Sequence, residues 1–420
     1  MDKNIRSKII CWVGLYVLAL TVRFLALLVL GMTNPPVSDE AEYFEPAASL
    51  ANGKGYAMIP QQSDDGIERL TAYRMPGPAM LLSLSFIGFG VKSSVARITC
   101  ICISSFSAPL LFSFTRRFAS WGTAMLAGVG CVFYPSWIYY SQAILSETFF
   151  IPALLFALCL TTDSVKPGNR SAFFAGLVWG LATLMRPHAL PISVIAALFI
   201  GLKFGKRPAI LMVLGVSIAL APWFIRNLMV FGRPILLATE SGETFLGSNN
   251  PSVYRDPAQR GMWLSPLVVP EYRDHLKPIR DEVERSREQT KMGLAFLRQN
   301  PEAVPILAFY KLTRWLTPVT VSRGLIRACV LASYGSMLII LLYGVIIGVV
   351  KPSTPLYLVI ICSVIFSGIT AVYWGGLVRG RLPLEIVWLP WAALAVAHAL
   401  GLAARAIDGR AEGAAPQPTT

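Results

Sequence analysis

Long apolar runs recur along the chain and are broken at two places by polar stretches. They cover residues 9–31, 76–91, 97–115, 122–141, 143–162, 171–185, 187–203, 208–225, 326–350, 354–374 and 382–403. Most are long enough, as helices, to cross or nearly cross a hydrocarbon core of about 30 Å. This predicts an all-α polytopic membrane protein. The first run follows a basic start, "MDKNIRSKII", but it exceeds a signal-peptide core and lacks a small-residue cleavage site. It reads as a retained first helix.

The pattern divides the chain into a transmembrane module over 1–225 that includes the loop 33–75, an insert over 226–325, C-terminal transmembrane helices over 326–404, and a tail over 405–420 expected to be disordered. Within the insert, "EYRDHLKPIRDEVERSREQTKMGLAFLRQNPEAV" alternates charge sign and then places Met292, Ala295 and Phe296 at helical spacing, which predicts a water-exposed helix against the membrane face. The opening of the insert, "TESGETFLGSNNP", reads as loop, with Gly242, Gly247 and Asn249–Asn250–Pro251 as turn formers.

Composition agrees with the pattern. Hydrophobic residues make up 55% of the 420 and charged residues 14%, against about 25% charged in soluble domains. The net charge of +14 calls for no nucleic acid, because the clustered Lys and Arg flank apolar runs. Placing Lys3–Lys8, Arg116–Arg117, Lys166–Arg170, Lys203–Arg207, Lys351 and Arg405–Arg410 inside puts both polar interruptions outside, with the turns near 140–147, 184–188 and 373–381. The loop 33–75 is then expected to carry short interfacial helices. One parity conflict remains: 76–91 and 97–115 cannot both span, so one of them, or part of the 171–203 pair, is expected to span incompletely. About ten crossings (range roughly nine to eleven), with both termini inside, satisfy the rest. All seven cysteines lie in apolar runs without paired metal spacing, and three histidines exclude a His-rich metal site. No metal site is expected and no cofactor is required, although carboxylates could hold a divalent cation.

Candidate chemistry gathers on the outer side. In "VSDEAEYFEPAASLANGKGY", Asp39, Glu40, Glu42 and Glu45 crowd a chain poor in acid. Asp39 and Tyr43 share one helical face, Ser38 is placed as an N-cap, Pro46 should kink the helix, and Gly53 or Gly55 should end it in a left-handed cap. A carboxylate at a helix start is favoured as the anion, as a general base needs. Cations stand at the outer ends of apolar runs: Arg74, Arg186, Arg226, Arg379 and Arg381. Each alone also fits a snorkelling anchor. Together they are not explained by the charge bias that puts Lys and Arg inside, and Arg binds phosphate through a bidentate fork. Glu147, His188, Asn249 and Asn250 complete the candidate pocket, with Lys311 a weaker member.

These residues resemble a family. "SDEAEYFEPAASLANGKGY", "YRMPGPAMLLSLSFIGFG", "YYSQAILSETFF", "GLVWGLATLMRP", "APWFIRNLMVFGRPILLATESGETFLGSNNP" and "RGRLPLEIVWLP" follow the order seen in membrane glycosyltransferases of the GT-C fold. The pattern is similar to the dolichyl-phosphate-mannose protein mannosyltransferase-like group, which includes lipid A aminoarabinose transferase. The resemblance covers about residues 40–400 and implies a GT-C bundle. It also implies transfer of a sugar from a polyprenyl-phosphate donor to a lipid, polysaccharide or protein acceptor at the outer face of a bacterial inner membrane. It maps the catalytic carboxylate onto Asp39, with Glu40 the adjacent acid, and the lipid-phosphate contacts onto Arg74, Arg186 and Arg379 or Arg381. Where aminoarabinose transferase-like members carry Glu-Lys-Pro, this chain reads "YRMPG", with Arg74 and no acid.

The expected reaction is an inverting single displacement with Asp39 as base and arginines on the leaving phosphate. The alternatives are a lipid-linked sugar transporter or flippase without chemistry, for which repeats and midplane polar residues are missing, and a glycan polymerase or ligase that differs in donor size.

Overall fold

The computed structural model describes residues 3–30, 34–60, 66–164, 170–318 and 323–413; the side chains of 3–5, 170 and 402–413 are not described. The inside charges expected at Lys3, Lys166, Arg170, Arg405 and Arg410 therefore lie outside the described side chains, and residues 414–420 of the expected tail lie outside the described residues.

The chain is a helical bundle. Its helices are α1 Lys3–Leu30, α2 Ala41–Ala51, α3 Gly77–Phe89, α4 Ser93–Ser105, α5 Ser107–Thr115, α6 Trp121–Val132, α7 Pro135–Tyr140, α8 Ser146–Asp163, α9 Arg170–Met185, α10 Ala189–Phe204 and α11 Lys206–Phe231. There follow α12 Ser241–Ser248, α13 Pro251–Arg255, α14 Pro270–Leu276, α15 Glu282–Gln299, α16 Ala303–Leu316, α17 Gly324–Val330, α18 Ser336–Ile346, α19 Thr354–Val372 and α20 Leu382–Gly413. The strands β1 Ala57–Met58 and β2 Arg69–Leu70 pair antiparallel in the first loop. Among the described residues, seven helical stretches are long and apolar enough to cross a membrane, and the apolar helices Gly77–Phe89, Trp121–Val132, Ser171–Met185 and Ala189–Phe204 are shorter. Every apolar run expected from sequence is helical.

The route of the chain accounts for the parity conflict. Gly77, at the start of α3, packs on Leu184 and Met185 at the end of α9. Phe86, near the other end of α3, meets Phe44 of α2 at 5.0 Å. Arg97, one turn into α4, reaches Glu40 and the Gln142 carbonyl. Both ends of α3 thus stay at one end of the bundle, and its 13 residues span only ~20 Å. The elements α1, α4–α5, α6–α7, α8, α9, α10, α11, α17–α18, α19 and α20 run between the ends. The far end is marked by Arg117 donating to Asp163 (3.0 Å) and Lys203 to Thr354 (3.3 Å). The described parts of the loops, 34–60, 66–76, 141–145, 186–188, 232–318 and 373–381, collect at the near end.

Close backbone approach holds α9 to α11. A Cβ on Gly176 would sit 2.0 Å from the Met212 carbonyl, and one on Gly215 would sit 2.4 Å from that of Phe173. Gly180 meets Ala219 in the same seam. Small residues four apart on two helices let backbones touch where lipid supplies no hydrophobic drive for association.

Three local expectations differ. Ser38 takes φ 55 and makes no cap; Val37 precedes a single 3-10 turn over Ser38–Glu40. α2 continues through Pro46 to Ala51 and ends as expected, with Gly53 at φ 72. "SGETFLGS" is helix α12 rather than loop, because Phe245 and Leu246 are buried, with Phe245 against Gly293 of α15. At the other end of the chain, α20 extends to Gly413, into the stretch expected to lack structure.

Gly176→Ala should destabilise the protein by about 1–3 kcal/mol, because the clash is with backbone and α11 must shift. Gly14→Ala, with nothing within 4 Å of its Cβ, should leave the melting temperature in detergent unchanged or slightly raised. Equal melting of the two variants would contradict the seam.

Candidate active site

The near-end loops converge on a cavity of about 270 Å³ whose wall includes Asp39, Glu42, Tyr73, Arg74, Glu240, Glu243, Trp263, Trp374 and Arg379. Ser38 adopts a left-handed φ of 55 at the start of the 3-10 turn, and the two acids that follow project to different sides of it. A non-glycine residue there is uncommon, and such conformations persist where surrounding contacts enforce them.

Glu40 turns into the protein. Both its oxygens accept from Arg97 (3.0 and 2.9 Å), and Oε1 also accepts from the Ile144 backbone N–H (3.1 Å). Arg97 is 3% exposed. This pair ties the first loop to α4 and to the 141–145 turn, and Glu40 is not in the cavity wall. Asp39 faces the cavity instead. Its Oδ1 accepts from Arg74 (3.2 Å), and its Oδ2 is held by Arg379.

Arg74 is the hub. Its Nε donates to Glu42 (2.5 Å), its Nη1 pairs with Glu240, and its Nη2 contacts both Asp39 and Glu42. The rings of Tyr43 and Tyr73 lie 5.5 and 5.6 Å from its guanidinium carbon. Burial alone would lower the pKa of this guanidinium, but Glu240, Tyr43 and Glu42 outweigh it and hold it well above its ordinary value. Burial, with Glu42 and Glu243 nearby, pushes the Glu240 carboxyl up to about 7 against the pull of Arg74 and Arg186. Glu243 is also raised, chiefly by burial, although it accepts from the Tyr73 hydroxyl (3.0 Å).

A second group stands beside the first. Arg186, 2% exposed, pairs with Glu147 (2.8 Å), donates to Ser146 Oγ (3.2 Å) and lies 4.7 Å from the centre of the Trp374 ring. Its Nε and Nη2 are buried without a hydrogen-bond partner. Arg379 Nε lies 4.0 Å from Glu147, which joins the two groups. His188 packs between Phe366 (4.8 Å) and Trp374 (5.1 Å). Burial, then the Arg186 charge, keeps it neutral.

The structure thus gathers Asp39, Tyr43, Arg74, Glu147, Arg186, His188 and Arg379. It places the others elsewhere. Arg226 donates to the carbonyls of Thr71 (2.7 Å) and Tyr56 (3.0 Å), among the rings of Tyr56, Trp223 and Phe231. Arg381 is buried on Glu385 (2.7 Å) and on the Trp315 carbonyl, facing away from Arg379 in the same turn. Asn250 caps α13 through Val253 N–H (2.9 Å), and Asn249 accepts from the buried Lys311 (2.8 Å). Burial lowers the Lys311 ammonium to about 7.

Sequence reasoning missed Glu42 as the partner of Arg74, and missed Glu240, Glu243 and Arg97 altogether. One signal for two of them was present: Glu240 and Glu243 are the only acids between Asp163 and Asp256. Among the described residues, no three His, Cys, Asp or Glu side chains converge as a metal-ligand group. Of the cavity carboxylates, Asp39, Glu42 and Glu240 are paired with Arg74 and Glu243 accepts from Tyr73.

Glu40→Gln should lower stability by about 3–5 kcal/mol, since it leaves the buried Arg97 charge uncompensated. The same change at the exposed Glu68, paired with Lys54 at 2.9 Å, should cost at most about 1 kcal/mol. Thermal melting of the two variants checks this, and a Glu40→Gln protein that melts with the wild type would remove the strut.

No protein-family model and no curated protein sequence matches the chain. Solved structures do. The oligosaccharyltransferase AglB from Archaeoglobus fulgidus, in complex with an inhibitory peptide and a dolichol-phosphate, superposes on 100% of this chain with a TM-score of 0.55 at 11% identity. Its apo form gives a TM-score of 0.55 at 12% identity over 98%. The chain spans 53% of the length of either. ArnT from Cupriavidus metallidurans covers 91% of this chain and 77% of its own at 15% identity, with a TM-score of 0.42. The fold is that of the GT-C membrane proteins.

Proposed function

We propose that the protein is a membrane glycosyltransferase that moves a sugar from a polyprenyl-phosphate donor to a hydroxyl acceptor. The observation that carries this reading is a carboxylate on two arginines in the wall of a cavity at the loop end of a GT-C bundle, with a buried arginine behind the cavity's Trp374 that keeps two nitrogens unpartnered. The carboxylate is the candidate base, kept ionised by its arginines, and the guanidinium groups suit a phosphate. AglB, which shares the fold, was solved with a dolichol-phosphate.

A groove of about 350 Å³ between α10 and α11 supports a lipid donor. It is lined by Leu190, Val194, Val213, Val216 and Leu220 among others, and Leu190 stands one helical turn beyond Arg186. An isoprenoid chain laid there would bring its phosphate to the arginines. In the reaction, Asp39 accepts the acceptor hydroxyl proton and the oxygen bonds to the anomeric carbon. The bond from that carbon to the phosphate oxygen breaks, and the electron pair leaves with the polyprenyl phosphate. Arg379 and Arg186 stabilise the charge that develops on that phosphate. Charge distribution favours the non-cytoplasmic face of a bacterial inner membrane for this chemistry, and the mannosyltransferase-like sequence pattern favours a single-sugar donor.

The test is incubation of membranes carrying the protein with radiolabelled undecaprenyl-phosphate mannose, followed by chromatography of released undecaprenyl phosphate. Asp39→Asn should lower release by about 10²-fold or more while the variant still expresses and melts cooperatively, at a somewhat lower temperature because Arg74 and Arg379 lose a partner. Near-full release by that variant, or label that crosses the membrane with none released, would contradict the reading.

A further inference from the structure

We propose that Glu240 is a positioning residue for this transfer: it occupies one edge of the Arg74 guanidinium and so leaves Asp39 able to take a proton. The inference rests on the transferase reading and adds a residue that the sequence patterns do not mark. It also makes the segment after α11 a working part of the site.

The geometry is a competition for one cation. Asp39, Glu42 and Glu240 all contact Arg74, through Nη2, through Nε with Nη2, and through Nη1 respectively. Asp39 is also held by Arg379. A carboxylate clamped by two full guanidinium charges is a poor base, because each opposite charge stabilises its ionised form. With Glu240 ionised, part of the Arg74 field is already neutralised, and Asp39 keeps more of its basicity. With Glu240 neutral, Arg74 has only Asp39 and Glu42 to hold. The segment is fixed in register for this task. Glu240 N–H donates to the Tyr73 carbonyl (3.1 Å) and Thr239 N–H to that of Ala72 (2.9 Å), next to Arg74 itself. From α15, Glu282 accepts from Thr71 Oγ1 and Ala72 N–H, both at 2.7 Å.

The charged groups that face Glu240 are Arg74 and Glu42 from the first loop, Arg186 from the end of α9, and Glu243 from α12. Tyr43, Tyr56, Tyr73 and Tyr373 feel its charge in turn. Burial is the largest influence and raises the carboxyl to about 7. As pH falls through that value Glu240 takes a proton, Arg74 turns to Asp39, and the rate falls.

The experiment follows undecaprenyl phosphate release from undecaprenyl-phosphate mannose across pH 5.5–8.5 for wild type, Glu240→Gln and Glu240→Asp. The expected result is a wild-type limb near neutrality. In Glu240→Gln that limb vanishes, kcat at the high-pH plateau falls on the order of tenfold, and donor KM is unchanged. Glu240→Asp restores the limb. A Glu240→Gln enzyme with the wild-type limb and rate would overturn the proposal.

A melting comparison needs no turnover. A carboxyl raised in the folded state contributes stability below its unfolded pKa and loses it as pH rises through the folded value. Glu240→Gln should therefore gain in melting temperature relative to the wild type as pH rises from about 4.5 to about 7, with the gap level above that. A gap that does not change with pH would overturn the proposal as well. Wild-type protein that releases nothing at any pH would count against the transferase reading, and the melting gap would still decide whether Glu240 titrates against Arg74.

Discussion

One guanidinium organises the loop end of this protein. Arg74 is buried, which alone would be costly, and carboxylates from separate stretches of chain meet it: Asp39 from the 3-10 turn, Glu42 from α2 and Glu240 from the segment before α12. A buried charge of this kind is tolerated only when paired and hydrogen-bonded. The three stretches must therefore arrive together or not at all. The same requirement recurs beside it, where Arg97 holds Glu40 and Arg186 holds Glu147. Each arginine stands near a helix end and each acid on another segment, so the ion pairs fix loops that otherwise have only the two-residue strands β1 and β2.

The bundle beneath sets where those ends fall. Glycine contacts bring α9 onto α11 at backbone distance, which carries Arg186 and the start of the 232–323 segment to neighbouring positions. The short α3 lies against α2 at the loop end and delivers Arg74, immediately before it, under the first loop. A site made this way has its cations near helix ends and its carboxylates on neighbouring segments, and two buried nitrogens of Arg186 keep no partner.

Much of this was legible in the sequence, for a physical reason. A bilayer demands long apolar helices, so all the apolar runs could be read directly. Charge parity called for one incompletely spanning segment, within 76–115 or in the 171–203 pair, and α3 is a short helix with both ends beside the loop end. Asp39, Arg74, Arg186 and Arg379 stood out because charge is expensive near a membrane. What the sequence could not give was direction. Asp39 and Glu40 are adjacent and alike, and in the 3-10 turn one faces the cavity and the other Arg97. Arg379 and Arg381 are two residues apart and diverge in the same way. Glu240 was missed because its partner is far along the chain, and because a turn-rich stretch hides a helix stabilised by burial of Phe245 and Leu246.

The account stands on the Arg74 hub, and a double-mutant cycle reads it directly. Unfolding free energies would be measured for wild type, Arg74→Met, Glu240→Gln and the double variant at pH 8, where Glu240 is charged. A coupling of at least about 1 kcal/mol is predicted, because the contact between the two charges is lost in either single variant and can be lost only once. Changes that add within about 0.3–0.5 kcal/mol would mean the two side chains do not share a site.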